Sequence, residues 1–354
     1  MSNIKIAIAG IGNCASSLIQ GLCLYKTVDR DSGLIPGILH NEIENYKISD
    51  IECVAAFDIN EKKVGKDVSE AIFTEPNNAI KFSEVPFLDV TVKQGPVLDG
   101  LGYKLSKIVK VNSESIEVNV ADELKKTGAE ILINLLPTGS VRASEFYAEQ
   151  ALIANCSFIN AIPVFIASKK EWSKKFEERN LPVVGDDIKS QIGATILHRT
   201  LVELLLKRGI YIENSSQKNI GGNSDFVNLS EKNRLQYKRI SKTEAIESII
   251  PYNSNIVVLD PEYSPELKDV KKCNIEVNCR NFGNLPVKIN LDLEVEDSPN
   301  SAGVMIDVIR SLKLARDKNL SGSINDISSF FFKHPEIQID DNEAYQKFEA
   351  FIKN

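Results

Sequence analysis

Histidine is scarce, three residues in 354, and no CxxC pair joins the six cysteines Cys14, Cys23, Cys53, Cys156, Cys273 and Cys279. A His–Cys zinc constellation is thereby excluded, and the reduced thiols of a cytoplasmic protein are expected. No apolar run reaches about 18 residues, so neither a membrane span nor a membrane partner is expected. Residues 1–9 enter a strand directly, without the basic, apolar and cleavage regions of a secretory leader. Positive charge is in deficit, with 42 Lys and Arg against 49 Asp and Glu and a net charge of −7. That balance argues against a nucleic-acid partner. An anionic substrate would need a local cluster of Lys or Arg.

What is present is an ordinary globular composition, 43% hydrophobic and 26% charged, long enough for two packed units. Residues 4–9 (IKIAIA) predict a strand, Gly10 and Gly12 a turn, and the following residues a helix to about Leu24. Further strands are expected at 52–57, 131–136, 157–162 and 182–185, with helices at 141–154 and 168–179. This alternation predicts an α/β fold with a Rossmann-type, doubly wound parallel sheet. After about residue 215 the pattern changes. Segments 255–259, 273–279 and 287–295 alternate like half-exposed antiparallel strands, and 302–316 reads as a long helix. The expected division is a cofactor-binding domain at 1–194, an inserted α+β domain at 195–296, and C-terminal helices at 297–354 that return to the first domain.

GIGNCA (10–15) matches GxGxxG/A. Gly10 allows a sharp turn, Gly12 lets the backbone approach a diphosphate, and Ala15 lets helix and strand pack closely. The helix start then offers free N–H groups to an anion. The acid expected at the end of the second strand is Asp58, displaced along the chain by an insertion at roughly 25–50. A carboxylate there accepts from ribose hydroxyls and repels a 2′-phosphate, which favours NAD over NADP.

Three other segments carry charge in patterns suited to chemistry. Lys238 and Lys242, in KRISK, share a helix face at i, i+4; they form either a solvated basic face or a pair that holds an anion. In GDDIKSQIGA (185–194), Asp186 and Asp187 sit where a strand ends, and Lys189, Ser190 and Gln191 supply donors. The alternative is an ordinary capped helix with the two aspartates as cap and first turn. In EDSPNSAGV (296–304), Asp297 either caps the next helix or ligates a metal.

Read together, GIGNCASSLIQGL, VAAFDIN, NNAIKF, GPVLDGLG, NLLPTGS, NAIPVFIAS, VGDDIKSQIGATILHR, GGNSDFVNL, KRISK and DSPNSAGV closely resemble the myo-inositol-1-phosphate synthase family in its shorter bacterial and archaeal form. The likeness runs over about residues 4–340. It implies an NAD-dependent isomerase that converts D-glucose 6-phosphate to 1D-myo-inositol 3-phosphate by oxidation, enolisation, aldol closure and reduction. NAD is regenerated in place, and the enzyme is a homotetramer. By resemblance the catalytic lysines map to Lys238, Lys242, Lys271 and Lys333, with Lys268 or Lys272 as alternatives to Lys271. Lys238 and Lys333 are assigned proton transfer at the C5 oxygen, and Lys242 and Lys271 the phosphate and the C1 oxygen. NAD falls to Gly10, Gly12, Asn13, Cys14, Ala15, Asp58, Thr138, Gly139 and Asp187. The sugar phosphate falls to Ser190, Gln191, Asn223 and Asp225. Asp225 and Asp297 match acidic positions that hold a divalent cation in some members. Carboxylates without His or Cys suit Mg²⁺ or Mn²⁺, with zinc bound through oxygen a further option.

One segment departs. Close bacterial relatives carry a motif like HIGPSDHV before the Lys271 region, where this chain reads NIVVLDPEYSP (255–265). The change falls on the substrate side. It leaves open a related cyclase for another sugar phosphate, or a non-catalytic NAD-binding protein.

Overall fold

The structure, a computed structural model, describes residues 3–114, 116–231, 234 and 249–353. Lys238 and Lys242 lie outside them. The main sheet has seven strands in the order Gly322–Ser323, Pro182–Gly185, Ser157–Asn160, Ile131–Asn134, Ile4–Ala9, Ile51–Asp58, Val92–Gln94, and every pairing is parallel. Counted along the chain from the far edge, the first six strands run 3-2-1-4-5-6, the Rossmann order. The direction of winding reverses between Ile4–Ala9 and Ile131–Asn134. A crevice opens there at the carboxyl ends of the strands, and it is the default ligand position in such a sheet.

Both faces of the sheet are covered, so its strands are apolar without alternation. Ile4, Ile6, Ile8 and Ile133 pack on one side, and Ala7, Ala9, Phe158 and Val183 on the other. The first helix, Asn13–Leu24, lies against the long helix Asp297–Asp317. Residues 25–50 carry a small hairpin. It is docked on the long helix by Arg310, whose guanidinium donates to the carbonyls of His40 at 2.7 Å and Asn41 at 3.0 Å and pairs with Asp307 at 2.7 Å.

The second sheet runs Asn255–Val258, Tyr211–Gly221, Val270–Arg280, Pro286–Glu296, with Glu262–Tyr263 added beside Ile220 and Gly221. Cys273, Ile275, Val277 and Cys279 face a core shared with helix Ala194–Lys207, while alternate residues point away. Strand Asn255–Val258 pairs parallel, not antiparallel as its alternation suggested. The long helix begins five residues earlier than its apolar period indicated, at Asp297. Among the described residues no disulfide forms and no helix is long and apolar enough to cross a membrane.

Candidate active site

The turn after Ile4–Ala9 has the geometry its glycines allow. Gly10 has φ +94°, and a Cβ there would lie 2.7 Å from the Leu135 carbonyl oxygen. Gly12 precedes the helix with φ −90°, and a Cβ there would meet nothing within 4 Å. Its backbone therefore faces open space at a helix start, which fits a phosphate group. Ala15 is fully buried beneath the turn.

Asp58 stands at the end of the neighbouring strand and faces the same cleft. Its carboxylate accepts from the Ile11 N–H at 2.8 Å, the Ile59 N–H at 2.7 Å and the Asn60 N–H at 2.9 Å. Asn13 is locked to Asn78 by two hydrogen bonds, one from its Nδ2 at 2.7 Å and one to its Oδ1 at 2.9 Å. On the other side of the crevice, Thr138 donates its hydroxyl to Asp225 Oδ1 at 2.7 Å. Gly139 has φ +86° and lies under the Arg234 side chain, off the cleft wall.

The cleft, open to solvent, brings together Gly10, Gly12, Asn13, Cys14, Asp58, Thr138, Asp187, Ser190, Asn223, Asp225, Lys271, Asp297 and Lys333. Among the described residues, two ammonium–carboxylate pairs have both partners on its wall. Lys271 Nζ is 3.0 Å from Asp297 Oδ1, and Lys333 Nζ is 2.7 Å from Asp187 Oδ1. Burial pulls the Lys271 ammonium down, but Asp297 and then Asp225 outweigh it, so the group sits above its ordinary value. Of the alternatives, Lys272 pairs with Glu294 at the surface at 2.8 Å, and Lys268 occupies a loop with φ +52°.

Several expectations are corrected. Asp186 and Asp187 do not cap a helix, since the next one starts at Ala194 after Gly193. Asp186 is fully buried and accepts from the N–H groups of Ile166, Ala167 and Ser168 and from the side chains of Asn160 and Ser168. It thus organises the loop after the adjacent strand. Asp187, with φ +60°, turns its carboxylate to Lys333. Gln191 gives its carboxamide to the Gly37 carbonyl, in the 25–50 insertion, and is not on the cleft wall. Asp297 is the first residue of its helix rather than the cap, and its carboxylate is turned to Lys271.

The sequence reading missed Asp269. It is 1% exposed and accepts from Asn223 Nδ2 at 2.9 Å, Ser298 Oγ at 2.9 Å, the Ser298 N–H at 3.2 Å and Asn13 Nδ2 at 3.2 Å. One carboxylate thus joins the glycine turn, the GGN turn and the DSPNSAGV helix. Burial raises its pKa to about 6.

A dinucleotide fits this site, given the open backbone at Gly12 and the acid at the strand end. A divalent cation fits on narrower grounds. Among the described residues no three His, Cys, Asp or Glu side chains form a metal-holding group. Burial, then Asp297, pushes the Cys14 thiol up to about 12, so it is a neutral thiol in this cleft. Two carboxylates, Asp225 and Asp297, remain. That set suits a hard ion that takes its other oxygens from phosphate and water, and not a zinc cage.

The comparisons with known proteins point to one family. A family model described as myo-inositol-1-phosphate synthase matches residues 193–298. Inositol-3-phosphate synthase of Mycolicibacterium smegmatis is 43% identical over 357 residues, covering 99% of this chain and 98% of the relative. The chain belongs to the inositol-3-phosphate synthase family. The synthase of Corynebacterium glutamicum gives the same identity over 359 residues, with 99% and 98% covered. Among solved structures, Ari2 matches with a TM-score of 0.80 at 32% identity, covering 100% of both chains. A myo-inositol-1-phosphate synthase-related protein from Thermotoga maritima matches with a TM-score of 0.82 at 22% identity, over 99% of this chain and 98% of that one, and so shares the fold. As a member of this synthase family the chain is an enzyme.

Proposed function

We propose that this enzyme isomerises D-glucose 6-phosphate to 1D-myo-inositol 3-phosphate with NAD retained and regenerated in the site. The observation that carries the proposal is the convergence, in one cleft, of the glycine turn with Lys271–Asp297 and Lys333–Asp187. NAD, when bound, supplies a hydride acceptor and donor.

The chain's residues do the rest. Gly12 and the helix start receive the diphosphate, and Asp58 accepts from ribose. Asp187 orients Lys333, which holds and moves the proton at the C5 oxygen of the sugar. Lys271, aligned by Asp297, stabilises negative charge that develops at the C1 oxygen as the ring closes. A cation held in place before the reaction stabilises developing charge without the reorganisation that solvent would need. Ser190 donates to the substrate phosphate, and Asn223 sits on the substrate side. Lys238 and Lys242 complete the lysine set by resemblance. Asp225 and Asp297 would hold a Mg²⁺- or Mn²⁺-like ion, which neutralises charge on bound oxygens. Strand Pro286–Glu296 forms the outer edge of the second sheet and supports pairing between subunits in a cytoplasmic homotetramer.

The test is incubation with glucose 6-phosphate and catalytic NAD, with product identification by phosphorus and carbon NMR. Inositol phosphate in many-fold excess over NAD supports the proposal. Intact NAD binding without turnover overturns it in favour of a second reading, a cyclase for another sugar phosphate. One observation favours that alternative. The divergent 255–265 segment seats on the GGN turn, where Ser264 N–H donates to the Gly221 carbonyl at 2.9 Å. A Cβ on Gly222 would lie 2.4 Å from the Ser264 oxygen.

A further inference from the structure

Among the described residues, Lys63 is a buried cation of the cleft that the mechanism leaves without a task and that, unlike Lys189 with Asp341, has no carboxylate in an ion pair with it. Lys63 is 3% exposed and lines the same cleft as Gly12 and Asp58. Its ammonium donates to the Ile11 carbonyl at 2.6 Å and to Asn77 Oδ1 at 2.7 Å. Both acceptors are neutral, and among the described residues Lys63 forms no ion pair. Its neighbour Lys62 does, with Glu75 at 3.5 Å on the surface. The carboxylate that most affects Lys63 is Asp58, whose oxygens are turned to the N–H groups of Ile11, Ile59 and Asn60.

A buried charge is costly unless something pairs with it. Burial accordingly lowers Lys63, and Asp58 offsets only part of the effect. An ammonium has three N–H donors, and two are accounted for. Ile11 lies between the two glycines of the turn, so the cation sits beside the backbone that a diphosphate would approach.

We propose that Lys63 is the counter-ion of the dinucleotide's diphosphate, a cation stored under the glycine turn whose charge partner arrives with the cofactor. The inference rests on the dinucleotide reading of the cleft. It adds a binding residue outside the glycine motif and the acid at the end of the second strand.

The test is direct binding, by calorimetry, of NAD⁺, ADP and adenosine to the full-length protein and to Lys63→Met, Lys63→Gln and Lys63→Arg. Lys63→Gln keeps a donor for the Ile11 carbonyl and so separates charge from bridging. A charge-assisted hydrogen bond of ordinary strength predicts a loss of about 10- to 100-fold in NAD⁺ and ADP affinity for both neutral variants. Adenosine affinity should be unchanged, and Lys63→Arg should recover most of the loss. Equal NAD⁺ affinity in wild type and Lys63→Gln overturns the proposal and leaves the dinucleotide reading intact. Equal losses for adenosine and ADP also overturn it, since they mark a role in shaping the turn alone. If the wild type binds ADP but not NAD⁺, and the ADP affinity depends on the Lys63 charge, the cofactor reading fails while the phosphate role of Lys63 stands.

Discussion

Lys333 and Asp187 are joined twice. The ammonium of Lys333 lies 2.7 Å from Asp187 Oδ1, and its backbone N–H donates to the Asp187 carbonyl at 2.8 Å. The backbone bond fixes the register of the C-terminal segment, and the side-chain bond then aims the amine. If this amine moves the proton at the sugar's C5 oxygen, Lys333→Met lowers turnover by about 10²- to 10⁴-fold, the usual span for a positioned acid or base. NAD⁺ affinity should stay within about threefold of wild type, because the glycine turn is untouched. Steady-state rates together with calorimetric NAD⁺ titration check both halves.

The two glycines of the turn should fail in opposite ways. Gly10→Ala places a Cβ 2.7 Å from the Leu135 oxygen at φ +94°, so it destabilises the fold by about 1–3 kcal/mol or more. Gly12→Ala enters open space at φ −90°. It should leave the melting temperature nearly unchanged and weaken NAD⁺ binding at least tenfold, because the new methyl stands where the phosphate approaches. Thermal melts and NAD⁺ titrations of the two variants separate these outcomes.

How far the sequence could be read follows from what each position must satisfy. The strand–turn–helix at 4–24 was legible because Gly10 needs a positive φ and the strand needs unbroken apolarity on both faces. Strand Tyr211–Gly221 was not legible, since its buried face carries Ser215 and Gln217. These bond His198 at 2.6 Å and 3.3 Å and hide the apolar alternation. Strand Val92–Gln94, three residues long at the sheet edge, gives too short a pattern to read. Asp269 and Lys63 escaped notice because ELKDVKK and NEKKVG look like solvated charge runs. Only the fold reveals that one charge in each run is buried. Gln191 matched its motif, yet a glycine from a distant insertion, Gly37, claims its amide.

The C-terminal helix Asp341–Lys353 should make the protein sensitive to strong acid. Asp341 accepts from Lys189 Nζ at 2.9 Å and Arg199 Nε at 2.8 Å. Burial alone would raise its carboxyl, but Lys189 and Arg199 outweigh burial and hold it below its ordinary 3.8. A carboxyl depressed on folding binds fewer protons folded than unfolded. Its stabilisation is therefore fully present above about pH 4 and is lost as pH falls through the lower folded value. Asp341→Asn should be less stable than wild type at pH 6, with the gap closing as pH drops below 3.8. Urea melts across that range test the sign. A gap that widens toward acid would count against the pair.

Asp269 ties the glycine turn to the GGN turn and the start of the long helix, and its removal should be felt in each. Asp269→Ala strips one acceptor each from Asn13 and Asn223 and the acceptors of both the Ser298 N–H and hydroxyl, and each buried donor left unsatisfied costs about 1–3 kcal/mol. A loss of roughly 3–5 kcal/mol in stability is expected, as for other broken buried networks. Asp269→Asn keeps one carbonyl acceptor and should lose less. It should also remove a pH dependence that wild type carries. With its folded value raised to about 6 from 3.8, Asp269 binds more protons folded than unfolded between those limits, so its contribution to stability declines as pH rises through that window. Comparing urea melts of wild type and Asp269→Asn between pH 4 and 7 isolates this slope. Parallel curves for the two proteins would place the titration elsewhere.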